Sequence, residues 1–170
     1  MDSGLLERFR AGERLALARS ISLVENLRPG FDAFLHEIHA DLGRAHRAGI
    51  TGPPGAGKST ITGGLAVRFR AGGETVGIVA VDPTSPFTGG ALLGDRIRMN
   101  ALSTDSGVFI RSMATRGSLG GLATTSKEIA DLLDAFGFDR VLTETVGVGQ
   151  SELDVAGTAD TTVVVLVPES

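Results

Sequence analysis

One segment of the chain reads Gly52-Pro53-Pro54-Gly55-Ala56-Gly57-Lys58-Ser59-Thr60. It follows the pattern of a glycine, a four-residue spacer and Gly-Lys-Ser, which is typical of a loop that binds nucleotide phosphates. A short apolar segment, 48–51, precedes it, and a helical pattern containing Ile61, Leu65 and Phe69 follows it. A strand, a loop and a helix in this order are the context that such a loop requires, so the segment predicts nucleotide binding.

Each residue type in this loop has a different expected role in binding phosphate and magnesium. The glycines let the backbone turn its amide hydrogens inward, where a side chain would obstruct a polyphosphate. Lys58 brings a positive charge to the β and γ phosphates, and the Ser59 hydroxyl is placed to ligate magnesium at the start of a helix. The helix dipole favours anions at that end. We therefore predict that residues 52–60 bind the nucleotide, with Lys58 as a catalytic residue and Ser59 as a metal ligand.

The composition excludes several classes of protein. A chain of 170 residues fits one domain, and its net charge of -4, spread over mixed acids and bases, indicates no nucleic-acid partner and no polybasic membrane patch. The absence of cysteine excludes disulfides and thiolate chemistry within the chain. The longest strongly apolar run, 163–167, is too short to cross a bilayer, and the N-terminus lacks a signal-peptide pattern. We expect a cytoplasmic protein with no membrane association.

Apolar periodicity predicts an alternation of helices and strands. The expected helices are 5–27, 31–42, about 95–101 and 122–136, beside the helix that follows the loop, and the expected later strands are 75–82, 108–111, 140–144 and 161–167. This order predicts an α/β fold with a layered, mostly parallel sheet and right-handed crossovers. We divide the chain into an N-terminal helical arm, 1–44, and a nucleotide-binding core, 45–170.

Three acids are predicted to lie near a magnesium nucleotide. Asp82 and Glu144 each end a predicted strand, and Asp95 opens a predicted helix after a glycine-rich loop. The carboxyl ends of parallel strands meet at the edge where such folds bind ligands, and magnesium prefers a few carboxylates together with water and phosphate oxygens. Each of Asp82 and Asp95 could instead cap a turn or a helix.

The segment after Glu144 has the form of a nucleotide-sensing switch. Glu144-Thr145-Val146-Gly147 matches an acid, two residues and a glycine, and Gly147 could present its amide to the γ-phosphate. Gln150 lies close enough in sequence to orient the attacking water, although a loop-stabilising amide is equally plausible. We predict catalytic roles for Glu144 and Gln150, and nucleotide binding by Gly147.

Three blocks of the sequence, 81–96, 111–122 and 144–152, resemble the MeaB/ArgK/MMAA family. The resemblance implies a three-layer P-loop NTPase fold of the SIMIBI type, binding of GTP or GDP with Mg2+, and GTP hydrolysis. It also implies a metallochaperone that gates adenosylcobalamin loading, protects or reactivates methylmalonyl-CoA mutase, and forms a homodimer at full length. Residues carried over from the family are Lys58 and Ser59 of the phosphate loop and the metal-side acids Asp82, Asp95 and Glu144.

The sequence departs from this family in the part that reads the base. A guanine-reading Asn-Lys-x-Asp element is absent, because the asparagines are Asn26 and Asn100 and neither precedes a lysine. In the family that element lies on a later strand, and this chain ends shortly after Val167. We therefore expect a C-terminally truncated piece in which the strand 161–167 exposes a face or edge, an aggregation liability.

Two other functions remain open on the sequence alone. The same loop could serve a transport-linked ATPase or kinase, of the lysine, arginine and ornithine type that older family naming suggests, because the residues that would read the base are missing. The chain could also be a fragment that does not hydrolyse nucleotide and acts through its helical arm and sheet.

Overall fold

A computed structural model describes residues 3–82, 102, 104–114, 119–145 and 155–168. Within them five strands form one sheet in the order β3-β2-β4-β1-β5, and all its pairings are parallel. The strands are β1 His46–Thr51, β2 Val76–Asp82, β3 Val108–Ala114, β4 Arg140–Glu144 and β5 Thr161–Val164. The predicted parallel α/β sheet is confirmed.

Helices cover both faces of this sheet and make three layers. They are α1 Ser3–Arg10, α2 Arg14–Glu25, α3 Phe31–Ile38, α4 Lys58–Ala71 and α5 Leu119–Phe136, with a 3-10 turn at His39–Asp41. Alternate residues of β2 point to opposite faces, so Val76 and Ile78 pack on the α4 side while Val79 and Val81 pack on the side of α5 and the arm. The predicted helix near 95–101 lies outside the described residues.

The arm differs from the prediction of one helix over 5–27. The first helix instead ends at Arg10, and Gly12 adopts φ 79°. The Gly12 N–H donates to Phe9 O, and the Glu13 N–H donates to Arg8 O. These two bonds form a Schellman motif, which ends a helix with a left-handed glycine. The apolar periodicity continued across this break, so the pattern alone concealed it.

A ladder of phenylalanine rings joins the arm to the core. Phe9 contacts Phe34 and Phe136 edge to face, with ring centroids 5.5 and 5.2 Å apart. Phe136 stacks on Phe138 at 5.8 Å, and Phe138 lies 6.4 Å from Phe109 of β3. The arm and the sheet thus share one hydrophobic cluster, and the division at residue 44 stays a prediction.

The two edge strands, β3 and β5, differ in how far other parts of the protein cover them. Arg14 of α2 donates to Ser106 O and Val108 O and lies 5.6 Å from the Phe109 ring, so the arm covers part of the β3 edge. At the other edge β5 ends at Val164, three residues before the predicted end, and Val164 and Leu166 are 59% and 78% exposed. Apolar exposure at 161–167 agrees with the expectation, and the aggregation liability stays a prediction.

A buried carboxylate connects the end of the arm to the sheet. Asp134 of α5 accepts the backbone N–H groups of Gly43, Arg44 and Ala45 at 2.9 to 3.0 Å, and Arg47 of β1 donates to it at 2.7 Å. Burial raises the pKa of Asp134, but the backbone donors and Arg47 outweigh burial and leave that pKa below its usual value of 3.8. Asp134 therefore fixes the course of the chain from the arm into β1.

We expect Asp134→Asn to lower the free energy of unfolding by about 3 kcal/mol at neutral pH, because it leaves Arg47 without its most buried partner. The measurement is urea unfolding followed by circular dichroism. A lowered carboxyl pKa contributes stability above the unfolded value of 3.8, and this contribution is lost as the pH falls through the folded value. The difference between wild type and variant should therefore shrink in acid.

Asp131→Asn is the matched control, because Asp131 binds the other arm of the Arg47 guanidinium at 2.5 Å without taking part in the three backbone bonds at residues 43–45. It should cost clearly less than Asp134→Asn. Equal losses for the two variants would show that the backbone bonds add nothing.

Candidate nucleotide-phosphate site

The phosphate loop leaves β1 at a point fixed from both sides. Thr145 N–H donates to Ile50 O at 3.0 Å, and Val165 N–H donates to Thr51 O at 2.8 Å. The Thr145 and Thr51 hydroxyls are 3.1 Å apart and both side chains are buried. Because β1 lies between β4 and β5, the start of the loop is held by backbone bonds to both neighbours.

The loop conformation explains its first glycine in a way that the sequence did not predict. Gly52 has φ 135°, and a Cβ there would lie 2.2 Å from the carbonyl oxygen of Val165. Gly55 and Gly57 have φ 78° and 97°, while a Cβ on either would meet nothing within 4 Å. Gly52 is therefore required both by close packing against the segment after β5 and by its φ, whereas the other two are required by backbone conformation alone.

Lys58 begins α4 and reaches back across the loop. Its Nζ donates to Gly52 O at 2.9 Å and to Pro53 O at 3.0 Å, and the residue is 7% exposed. The first N–H groups of a helix lack acceptors within the helix, and they concentrate positive potential at that end. A lysine ammonium group and the start of a helix together are suited to binding an anion at the loop.

Glu144, at the carboxyl end of β4, faces the first turn of α4. Its Oε1 accepts the Ser59 hydroxyl at 2.5 Å and its Oε2 accepts the Thr62 hydroxyl at 3.0 Å. The structure therefore brings together Ser59 and Glu144, two residues predicted to serve the metal. Thr62 was not predicted, although it lies three residues after Ser59 and hence on the same face of the helix.

The remaining predicted residues divide into two groups. Asp82 ends β2 as predicted, and in the register Ala80 is opposite Glu144, so Asp82 lies at the same edge of the sheet. Asp95, Gly147 and Gln150 lie outside the described residues. Their roles stay predictions.

The residues in place suit magnesium chemically. A serine hydroxyl and a carboxylate are hard oxygen donors, and magnesium bound with a nucleotide takes few protein ligands. Among the described residues there is no group of three or more His, Cys, Asp or Glu side chains that could hold a metal by itself. The Ser59 hydroxyl and the Glu144 carboxylate fit an ion that takes its other ligands from phosphates and water.

The family described as methylmalonyl Co-A mutase-associated GTPase MeaB matches residues 17–170. The chain belongs to this family. The helices, the sheet and the phosphate loop described above agree with a P-loop NTPase fold of the SIMIBI type.

Individual relatives support this membership. A Pyrococcus horikoshii protein named for an expected GTPase activity is 57% identical over 164 residues, covering 96% of this chain and 52% of that protein. The Escherichia coli protein named GTPase ArgK is 43% identical over 159 residues, covering 91% of this chain and 48% of that protein. The crystal structure of a LAO/AO transport system kinase matches with a TM-score of 0.71 and 34% identity, covering 96% of this chain and 49% of that one.

The MeaB-family chain thus spans about half the length of the relatives that it matches. In the part of the chain that the structure describes, no helix is long and apolar enough to cross a membrane.

We expect Gly52→Ala to destabilise the protein by about 2 kcal/mol or more, because a side chain there meets the Val165 backbone and adopts a strained φ. Gly63→Ala is the control, since its Cβ has open space and alanine favours a helix, so stability should stay equal or rise. Urea unfolding followed by circular dichroism measures both. A Gly52→Ala protein as stable as wild type would contradict the packing account.

Proposed function

We propose that this chain is the phosphate-binding and magnesium-binding half of a GTPase of the MeaB/ArgK/MMAA family. The observation that supports the proposal is that Lys58 and Ser59 begin α4 and that the Ser59 hydroxyl donates to Glu144 there. It supports binding of a nucleoside triphosphate with a metal ion. The choice of GTP rests on the names of the relatives.

The described residues would divide the work of hydrolysis as follows. The loop N–H groups and Lys58 bind the β and γ phosphates, which take the place of the Gly52 and Pro53 carbonyls as partners of Nζ. Ser59 and Glu144 would hold magnesium, and Asp82 and Asp95 keep the metal-side roles that the sequence predicts for them. Magnesium, when bound, neutralises charge on the phosphate oxygens.

The segment after Thr145 would supply the rest of the reaction. Gly147 binds the γ-phosphate through its amide, and Gln150 orients the water that attacks in line. Loss of the γ-phosphate then releases the segment, so hydrolysis changes its conformation. These two roles rest on the sequence pattern.

The biological role we propose is that of a cytoplasmic metallochaperone acting on adenosylcobalamin-dependent methylmalonyl-CoA mutase. The name of the matching family supports this partner. A homodimer at full length belongs to the same proposal.

A second candidate is a transport-linked ATPase or kinase, in which a substrate hydroxyl replaces water. It is favoured by the 34% identity to the LAO/AO transport system kinase. The third candidate is a fragment that does not hydrolyse nucleotide and acts through its helical arm and sheet.

Lys58→Ala should lower GTP turnover on the order of a hundredfold or more in the protein at the full length its gene encodes, because it removes a charge from the transferred phosphate. Lys127→Ala is the matched control, since Lys127 is the chain's other lysine and pairs at the surface with Asp131 at 3.7 Å. Phosphate release is the measurement. Retained turnover in Lys58→Ala would refute the hydrolase assignment.

Competition between nucleotides separates the first two candidates. The GTPase proposal expects GTP to displace a fluorescent GDP analogue while ATP does not. Preference for ATP, with phosphate transferred to an added amino acid or protein, would favour the kinase.

The partner can be tested separately. A purified adenosylcobalamin-dependent methylmalonyl-CoA mutase should bind the full-length protein in sedimentation experiments, with an affinity that depends on the bound nucleotide. Equal sedimentation with GDP, with a non-hydrolysable GTP analogue and without nucleotide would argue against gating.

A further inference from the structure

We propose that Thr62 is a positioning residue for magnesium-nucleotide binding, which acts by fixing the carboxylate of Glu144 behind Ser59. The inference rests on the proposed nucleotide function and adds a residue that the phosphate-loop pattern does not contain. It concerns the metal and the phosphates rather than the base.

The Thr62 side chain is placed for a specific contact. It is 0% exposed, and its Oγ1 lies 3.0 Å from Glu144 Oε2 and 3.0 Å from Lys58 O. Burying a hydroxyl is unfavourable unless it forms hydrogen bonds, and valine would fill the same volume without that cost. A hydroxyl is therefore needed here for its bonds rather than for packing.

The donor capacity of a hydroxyl indicates which of these two bonds is the stronger one. The Thr62 hydroxyl carries one proton, so it can donate fully to one of its two acceptors. A glutamate carboxylate accepts a hydrogen bond more strongly than a backbone carbonyl does. Ser59 donates its own proton to the other carboxylate oxygen at 2.5 Å, so one carboxylate takes one proton from each of two hydroxyls on the same face of α4.

This arrangement matters for a cation because a hydroxyl that ligates a metal must turn a lone pair toward it and its proton away. Glu144 Oε1 is the acceptor that takes the Ser59 proton. Thr62 holds the other oxygen and so limits rotation of the carboxylate. Contacts behind a ligand typically tune metal affinity about 10–100-fold.

A purely local role is the alternative. Threonine hydroxyls inside helices often bond to the carbonyl four residues earlier, as Thr62 does to Lys58 O. Such a bond would affect the stability of α4 and the loop as a whole. It would not act on the metal selectively.

The experiment measures Mg2+ affinity in the full-length protein. A fluorescent GDP analogue is bound first in EDTA, and Mg2+ is then titrated for wild type, Thr62→Val and Thr62→Ser. We expect Thr62→Val to weaken Mg2+ binding roughly tenfold. Thr62→Ser should stay close to wild type, and GDP affinity in EDTA should be equal in all three.

Two results would overturn the inference. One is an unchanged Mg2+ affinity in Thr62→Val. The other is an equal loss of GDP affinity with and without Mg2+, which is what a local role in the helix predicts. If Thr62→Val does not fold, Thr62→Ala is tested against the same expectations.

A double-mutant cycle with Glu144→Gln tests the route of action. If Thr62 acts through Glu144, Thr62→Val should change Mg2+ affinity much less in the Glu144→Gln background than in wild type. Fully additive losses would place the effect of Thr62 elsewhere and refute the positioning role.

Repeating the titration with an ADP analogue separates this inference from the proposed function. If wild type binds ADP with Mg2+ but not GDP, the guanine assignment fails, while the Thr62 effect is still expected in the ADP series. If wild type binds neither nucleotide, both proposals fall.

Discussion

All five strands run parallel, so their carboxyl ends gather at one edge of the sheet, and the described site residues depend on that constraint. The order of strands places β4 beside β1, and α4 begins directly after the loop that leaves β1. Glu144 at the end of β4 therefore meets the first turn of α4. A different strand order would separate the carboxylate from the two hydroxyls.

A second buried carboxylate lies near the amino ends of the strands and has a structural role. Asp134 accepts hydrogen bonds from the Arg47 guanidinium and from three backbone N–H groups. Most of its donors therefore belong to the main chain and cannot rotate away. Glu144 accepts from two side-chain hydroxyls, which can turn about their C–O bonds. β1 runs between the two carboxylates. Arg47, which binds Asp134, lies near its start, and the phosphate loop beside Glu144 follows its end.

The sequence predicted the features that depend on local chemistry. The phosphate-loop pattern predicted a strand, a loop and a helix with Lys58 and Ser59 at the start of that helix. Apolar runs ending in acids located β2 and β4, with Asp82 and Glu144 at their ends. Contacts between segments distant in sequence were beyond it. The approach of Gly52 to Val165 and the bond from Thr62 to Glu144 depend on strand order, which periodicity does not encode.

Helix ends form a third class of feature. The break at Gly12 had a local cause, a left-handed glycine, but the surrounding apolar pattern fitted one long helix equally well. Packing of Phe9 against both Phe34 and Phe136 uses the turn that this break creates. The end of α1 therefore could not be predicted from the sequence without knowing this tertiary contact.

The phenylalanine ladder also gives the protein an optical property. The chain contains no tryptophan and no tyrosine, so phenylalanine rings supply its aromatic side-chain signal in the near ultraviolet. Rings held edge to face or stacked in a chiral core produce sharp circular-dichroism bands, whereas freely rotating rings do not. Because the ladder runs from Phe9 and Phe34 of the arm to Phe109 of β3, these bands report whether the arm is seated on the sheet. The protein thus carries its own spectroscopic marker of arm docking, readable without a label.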